Sequence, residues 1–150
     1  MRTIALIFII MSTACNEGVN ERQDIDIVKN FVASVVTNDS FDISTIGEYV
    51  HAQQTPLDDA AMQEVLSSYI SYMRETIGKN SGKYEIVRSD SGDHRKLIED
   101  YDLQYDDTMS TFYLVAGEKL VTHIIVKEGK VISFFTSITK KKRNRYPWIL

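Results

Sequence analysis

The stretch STFYLVAGEKLVTHIIVKEGKVISFFTSI, residues 110–138, decides the fold. It contains the segments STFYLVA, KLVTHIIVK and KVISFFTSI, which are rich in β-branched and aromatic residues and are separated only by Gly117-Glu118 and Glu128-Gly129. Short glycine-containing connections between such segments are typical of β-hairpins. Because tight turns join antiparallel neighbours, the stretch predicts an antiparallel meander.

Two segments upstream extend the predicted sheet. KYEIVRS, which begins at Lys83, has the composition of a strand and is followed by the turn signal SDSGD. From Leu97 to Tyr105, apolar and acidic residues alternate with a period of two, as in a strand with one buried face. We therefore expect four or five strands in total.

Helical periodicity dominates the first half of the chain. Residues 21–37 place their apolar side chains on one helical face, and residues 43–50 suggest a second, short helix. A third helix is expected to begin at Thr55, which acts as the cap before a proline, with Asp58 in the first turn, and to end at Gly78. Its predicted apolar face comprises Leu57, Ala61, Val65, Leu66, Tyr69, Ile70, Met73 and Ile77.

This order of elements predicts an α+β fold, with two or three N-terminal helices packed on a curved, four- to five-stranded antiparallel meander. We place this single domain at residues 24–139. Over residues 21–139, the element order resembles that of the cystatin-like and nuclear-transport-factor-like α+β rolls. The resemblance implies a cone-shaped pocket between the sheet and the longest helix.

The first residues of the chain, MRTIALIFIIMSTAC, have the features of an export signal. Arg2 supplies a positive charge, Ile4 to Met11 form an apolar run too short to span a membrane, and small residues precede Cys15, the only cysteine. The segment resembles a bacterial lipoprotein signal, with Ser12 where that family usually has leucine. The resemblance implies cleavage before Cys15 and lipid on its sulfur.

Other interpretations use the same residues. Ser12 and Ala14 fit the rule for ordinary signal peptidase, which would release a soluble protein with an unmodified Cys15. An uncleaved anchor or a buried strand is the third interpretation. Lipidation explains best why the only cysteine lies at the cleavage position. It predicts a signal peptide at 1–14, a polar tether at 15–23 and a location in the bacterial envelope, at the outer membrane or periplasmic face.

Charge is unevenly distributed along the chain, whose formal net charge is −4. Five of the 17 basic residues lie in KKKRNR, residues 140–145, and the remaining chain carries 12 basic against 21 acidic residues. An acidic body argues against nucleic acid as the main partner. The C-terminal tail, residues 140–150, joins the basic residues to the apolar end YPWIL. It either contacts an anionic lipid face or an acidic partner, docks on its own domain, or is a frayed terminus.

The sequence contains no recognisable catalytic or metal-binding motif. His51, His94 and His123 fall in separate predicted elements without zinc-ligand spacing, and the acidic stretch from Glu99 to Asp107 lacks the order of an EF-hand loop. We therefore predict no cofactor.

We expect Tyr69, Tyr113 and His123 to line a pocket inside the roll. Tyrosine combines an apolar ring with a polar tip, although buried aromatic residues more often belong to the core. On its predicted strand, His123 alternates with Val121 and Ile125 and is expected to point inward with them.

These features favour a non-enzymatic, lipid-anchored envelope protein that binds a protein partner or a small ligand. The alternatives are a small enzyme that uses His123 or an aspartate as a base, and a structural or immunity protein that acts only through a partner. A deep cavity in which a histidine meets a carboxylate would favour the enzyme. A filled cone or a flat face would favour binding.

Overall fold

The computed structural model describes residues 17–52, 56–91, 108–135, 138–141, 144–147 and 150, and it confirms the α+β class. The helical elements are α1 (Glu17–Phe31), a π-helical turn that continues it (Val32–Val36), a 3-10 helix (Ile43–Glu48) and α2 (Ala60–Lys79). The strands are β1 (Glu85–Arg88), β2 (Ser110–Ala116), β3 (Lys119–Lys127), β4 (Lys130–Ser133), β5 (Ile138–Lys141) and β6 (Asn144–Pro147).

Strands β1 to β4 form an antiparallel sheet in chain order, and β5 pairs with β6 in a separate hairpin. The bounds of β2 and β3 are those predicted, because a tight turn fixes where each strand must stop. Gly117 and Gly129 adopt φ of 61° and 75° in these turns, where other residues would be strained. A Cβ at Gly117 would also lie 2.5 Å from Oδ1 of Asn80, so any other residue there would have to displace the Asn80 side chain.

The helices contact one face of the sheet and share a single apolar core with it. Helix α2 contributes Leu66, Ile70, Met73 and Ile77, a spacing that keeps one face of a helix turned inward. The prediction that Val65 belongs to this face is wrong, since Val65 is 46% exposed. It precedes Leu66 by one residue and therefore lies about 100° around the helix from it.

Both predicted ends of α2 are also wrong. The helix begins later than expected, because Asp59 caps it by accepting a hydrogen bond from the backbone N–H of Met62 at 3.1 Å. Thr55 lies outside the described residues. Gly78 lies within the helix, and the left-handed residues that end it are Ser81 and Gly82, with φ of 60° and 73°.

Helix α1 begins at Glu17, inside the segment 15–23 that was predicted to be a polar tether. A helix rises about 1.5 Å per residue, against roughly 3.3 Å for an extended chain, so the helical part of this segment spans less distance than an extended tether would. Cys15 and the signal segment 1–14 lie outside the described residues. Within the described part of the chain, no helix combines the length and the apolar character needed to cross a membrane.

The C-terminal region departs from the prediction of a separate tail starting at residue 140. Strand β5 runs from Ile138 to Lys141 across the predicted boundary, and KVISFFTSI forms β4 and the first residue of β5 rather than one strand. Leu150 is fully buried, and its N–H donates to the carbonyl of Ile132 at 3.1 Å. Leu150 therefore packs on the domain. The strand predicted for 97–105, His94 and the acidic stretch lie outside the described residues.

Candidate functional site

Aromatic side chains of the described residues pack between α2 and the sheet, where the cone-shaped pocket was expected. The ring of Tyr69 lies 4.8 Å from that of Phe135, and the ring of Phe134 lies 5.0 Å from that of Phe31. The hydroxyl of Tyr69 is 3.1 Å from that of Thr122, which donates to the carbonyl of Phe134 at 2.6 Å. We call this set of residues the aromatic cluster. Its polar atoms satisfy one another, as buried polar groups require.

The sheet separates Tyr69 from the other two speculative pocket residues. Tyr113 and His123 are cross-strand partners, so both lie on the same face of the sheet. This is the face away from the helices, because Tyr113 is buried yet does not belong to the helix-side core. The structure thus brings Tyr113 and His123 together and leaves Tyr69 on the other side.

The alternation of residues on β3 predicted that His123 and Val121 share a face of the sheet. They do not, and a β-bulge explains the difference. Leu114 pairs with Thr122 whereas Val115 pairs with Leu120, so Val121 is an extra residue on β3. Val121 belongs to the helix-side core. From this point on, the residues of β3 that face the helices are the even-numbered ones, and His123 therefore lies on the opposite face.

His123 is fully buried, and within the described part of the chain neither of its ring nitrogens has a hydrogen-bond partner. Burial lowers the pKa of His123 to about 4, so that the imidazole is neutral at pH 7. The hydroxyl of Thr111 on the same face also lacks a partner among the described residues. A general base needs a proton to accept and access to a reacting group, and the described surroundings of His123 supply neither.

An open cavity of about 540 Å³ lies where α1 crosses the start of β2 and the β3–β4 turn. We call it the α1 cavity. Its described lining consists of Gln23, Asp24, Thr108, Met109, Ser110, Glu128 and Gly129.

The polar groups of the α1 cavity are held in place by three elements that lie far apart in the sequence. Ser110, at the start of β2, donates a hydrogen bond of 2.5 Å to Oδ2 of Asp24 on α1. The β3–β4 turn places Glu128 and Gly129 at positive φ, 51° and 75°. Positive φ at both central residues is the geometry of a two-residue hairpin turn. A Cβ on Gly129 would lie 3.9 Å from Cδ1 of Ile27, so the Ile27 side chain of α1 lies close to this turn.

The α1 cavity is acidic. Asp24 and Glu128 are the only charged side chains in its described lining, and no basic residue joins them there. Within the described residues, Glu128 makes no hydrogen bond or ion pair. The described residues contain no group of three or more histidine, cysteine, aspartate or glutamate side chains placed to hold a metal ion. The cavity is therefore suited to accept hydrogen bonds and positive charge.

A second cavity, of about 490 Å³, lies between the 3-10 helix and the residues before α2. His51, an exposed histidine, is one of its lining residues. Residues 53–55 connect two of its walls and lie outside the described residues. The α1 cavity is the better-defined candidate, because its carboxylate, hydroxyl and turn are held by described contacts.

Sequence reasoning did not identify Asp24, Ser110 or Glu128 as site residues. Asp24 and Ser110 are 86 residues apart, and no motif spans such a distance. The only local signal is the Glu128-Gly129 pair, which identifies a turn rather than a site.

Comparison of the chain with protein-family models, with curated proteins and with solved structures finds no match. Function is therefore inferred from the described geometry and from the sequence of the N-terminal segment.

Proposed function

We propose that this chain is a lipid-anchored binding module of the bacterial envelope, tethered through Cys15 and holding a small polar ligand in the α1 cavity. The observation that carries the proposal is the course of α1. The helix begins at Glu17, two residues after Cys15, and contributes Asp24 to the cavity lining.

This arrangement keeps the cavity close to the anchoring residue. At about 1.5 Å per residue, the helix separates Glu17 from Asp24 by roughly 10 Å along its axis. Two extended residues before the helix add at most about 7 Å. Several acyl chains on one cysteine bury enough methylene groups for stable membrane retention. A cavity so close to the anchor would meet molecules at the membrane surface.

The packing of aromatic rings between α2 and the sheet supports binding over the enzyme alternative. The aromatic cluster occupies the space in which a roll-type active site would lie. His123, the base considered for an enzyme, faces away from this space. A ligand-binding cavity with a few convergent polar groups remains at the β3–β4 turn.

Metabolic labelling with a lipid precursor tests the anchor. The wild-type chain is expected to take up label and to remain with membranes, whereas Cys15→Ser loses both properties. The matched control is Ser12→Leu, which brings the signal closer to the lipoprotein pattern and should keep the label. Label retained on Cys15→Ser, or a mature wild-type protein in the medium with a free thiol, would contradict the proposal.

Saturation-transfer NMR tests the cavity, because it detects weak binding of small probes. Ethanolamine and glycerol serve as probes for the mature chain in detergent micelles. We expect a signal from at least one of them with the wild type and a loss of that signal in Ser110→Phe, which fills the cavity. Ser68→Phe, on the exposed side of α2, is the control and should bind normally. Equal signals in the wild type and Ser110→Phe would show that the probes bind elsewhere.

A further inference from the structure

We infer that the α1 cavity selects ligands that carry a primary ammonium group. This inference rests on the proposed binding function and adds to it the chemical class of the ligand. If the cavity preferred an uncharged ligand, this inference would be wrong, but the proposed binding function would still hold.

The first step of the inference is the charge of the lining. Both charged side chains in the described lining are carboxylates, which act only as hydrogen-bond acceptors. The basic neighbours of the turn, Lys127 and Lys130, are not part of this lining. The Nζ of Lys130 instead lies 3.5 Å from the carbonyl oxygen of Glu48. Within the described lining, a cation would therefore meet two negative groups and no positive one.

The second step is hydrogen bonding. Asp24 already accepts from Ser110 through Oδ2, which fixes the orientation of its carboxylate. Glu128 has no described partner and lies on a turn with positive φ at both central residues, close to the Ile27 side chain of α1. An ammonium group has three N–H donors and is compact, so it suits a lining whose charged groups only accept hydrogen bonds.

The third step separates primary from quaternary ammonium. Quaternary ammonium groups have no N–H donor and are recognised by the faces of aromatic rings. The described lining contains carboxylate, amide and hydroxyl groups and one methionine, without an aromatic ring. This composition favours an ethanolamine-type group over a choline-type group.

Two sources of a primary ammonium group fit the proposed location. One is a lipid headgroup at the bilayer to which the protein is anchored, and the other is a soluble amine. The cavity chemistry is the same for both, and the experiment below has one arm for each.

The first arm compares ethanolamine with ethylene glycol, which has a hydroxyl in place of the amine. Amide chemical shifts of the mature chain in micelles give both affinities. We expect ethanolamine to bind at least tenfold more tightly, with an affinity that falls as salt is added. Asp24→Asn and Glu128→Gln should each weaken ethanolamine binding by about three- to tenfold and leave ethylene glycol unaffected, a loss typical of a partly exposed charge pair.

The chain supplies matched controls for both variants. Asp26→Asn removes an exposed carboxylate of α1 that is 3.8 Å from Nζ of Lys29 and outside the cavity. Glu118→Gln makes the same change as Glu128→Gln in the other meander turn. Both controls should bind ethanolamine like the wild type. A loss in the controls equal to that in the cavity variants would overturn the inference, since it would reflect net charge alone.

The second arm adds dihexanoyl phosphatidylethanolamine or dihexanoyl phosphatidylcholine to the same micelles. Shifts of the cavity amides with the ethanolamine lipid support a headgroup ligand, and shifts with free ethanolamine alone support a soluble amine. Equal responses to the two lipids, or equal affinities for ethanolamine and ethylene glycol, would overturn the inference and leave the binding module intact. A cavity that responds to none of the probes would refute both proposals.

Discussion

The two spaces on the helix side of the sheet differ in what occupies them. In the aromatic cluster, rings lie 4.8 to 6.2 Å apart around a hydroxyl pair and pack against one another. In the α1 cavity, a carboxylate–hydroxyl pair and a second carboxylate line about 540 Å³ of open space. The comparison indicates that the side chains between α2 and the sheet stabilise the fold, whereas the binding that we propose lies where a turn meets a helix.

The largest expected effect is in the aromatic cluster. Phe134→Ala removes a fully buried ring that contacts Phe31 and Phe135, and should lower the free energy of unfolding by about 3–5 kcal/mol. Chemical denaturation measures the change. A cost below about 1 kcal/mol would mean that the cluster is loosely packed and that the contrast with the cavity is false.

The loss of stability at low pH should be nearly as large as the loss caused by Phe134→Ala. Because its folded-state pKa of about 4 lies below the ordinary value of 6.5, His123 binds its proton more readily in the unfolded chain. Its contribution is fully present above pH 6.5 and is lost as the pH falls toward 4. The loss amounts to about 3 kcal/mol. His123→Leu removes this loss and His51→Gln keeps it, so the difference between variant and wild-type denaturation curves isolates the effect. Identical pH profiles for wild type and His123→Leu would contradict the burial of a neutral imidazole.

A smaller effect is expected for the hydroxyl pair within the aromatic cluster. Tyr69→Phe keeps the ring and removes the 3.1 Å contact with Thr122, so stability should fall by about 1 kcal/mol. Binding of ethanolamine should be unchanged, because the cluster lies outside the α1 cavity. Weaker binding in this variant would place the ligand in the interior.

The smallest effect on stability is expected in the cavity itself. Glu128→Gln alters a side chain without a described partner and should change the free energy of unfolding by less than about 0.5 kcal/mol. Its effect should appear in ligand affinity instead. A destabilisation above about 1.5 kcal/mol would assign Glu128 a structural role and remove the separation between the two regions.

The sequence predicted the elements whose limits are set locally. Strands β2 and β3 were predicted to the residue, because glycine turns with left-handed backbone geometry allow a tight hairpin at one place only. The start of α2 was mispredicted, because two cap candidates compete and Asp59 is the one that reaches a backbone N–H. Propensity alone does not rank such candidates.

Features that depend on distant contacts were not predictable. The β-bulge at Val121 reverses which residues of β3 face the helices, and nothing in KLVTHIIVK reveals an extra residue. The cavity unites Asp24, Ser110 and Glu128 only after α1 has packed on the sheet. The lipid on Cys15 remains a prediction, since it depends on a signal that precedes the described residues.

The most direct test of the contrast between the two regions is a map of amide chemical-shift changes as ethanolamine is added to the mature chain. The account predicts the largest changes at Asp24, Ser110, Glu128 and Gly129, with Tyr69, Thr122 and Phe134 unaffected. Changes concentrated at these last three residues, with the α1 cavity silent, would contradict it.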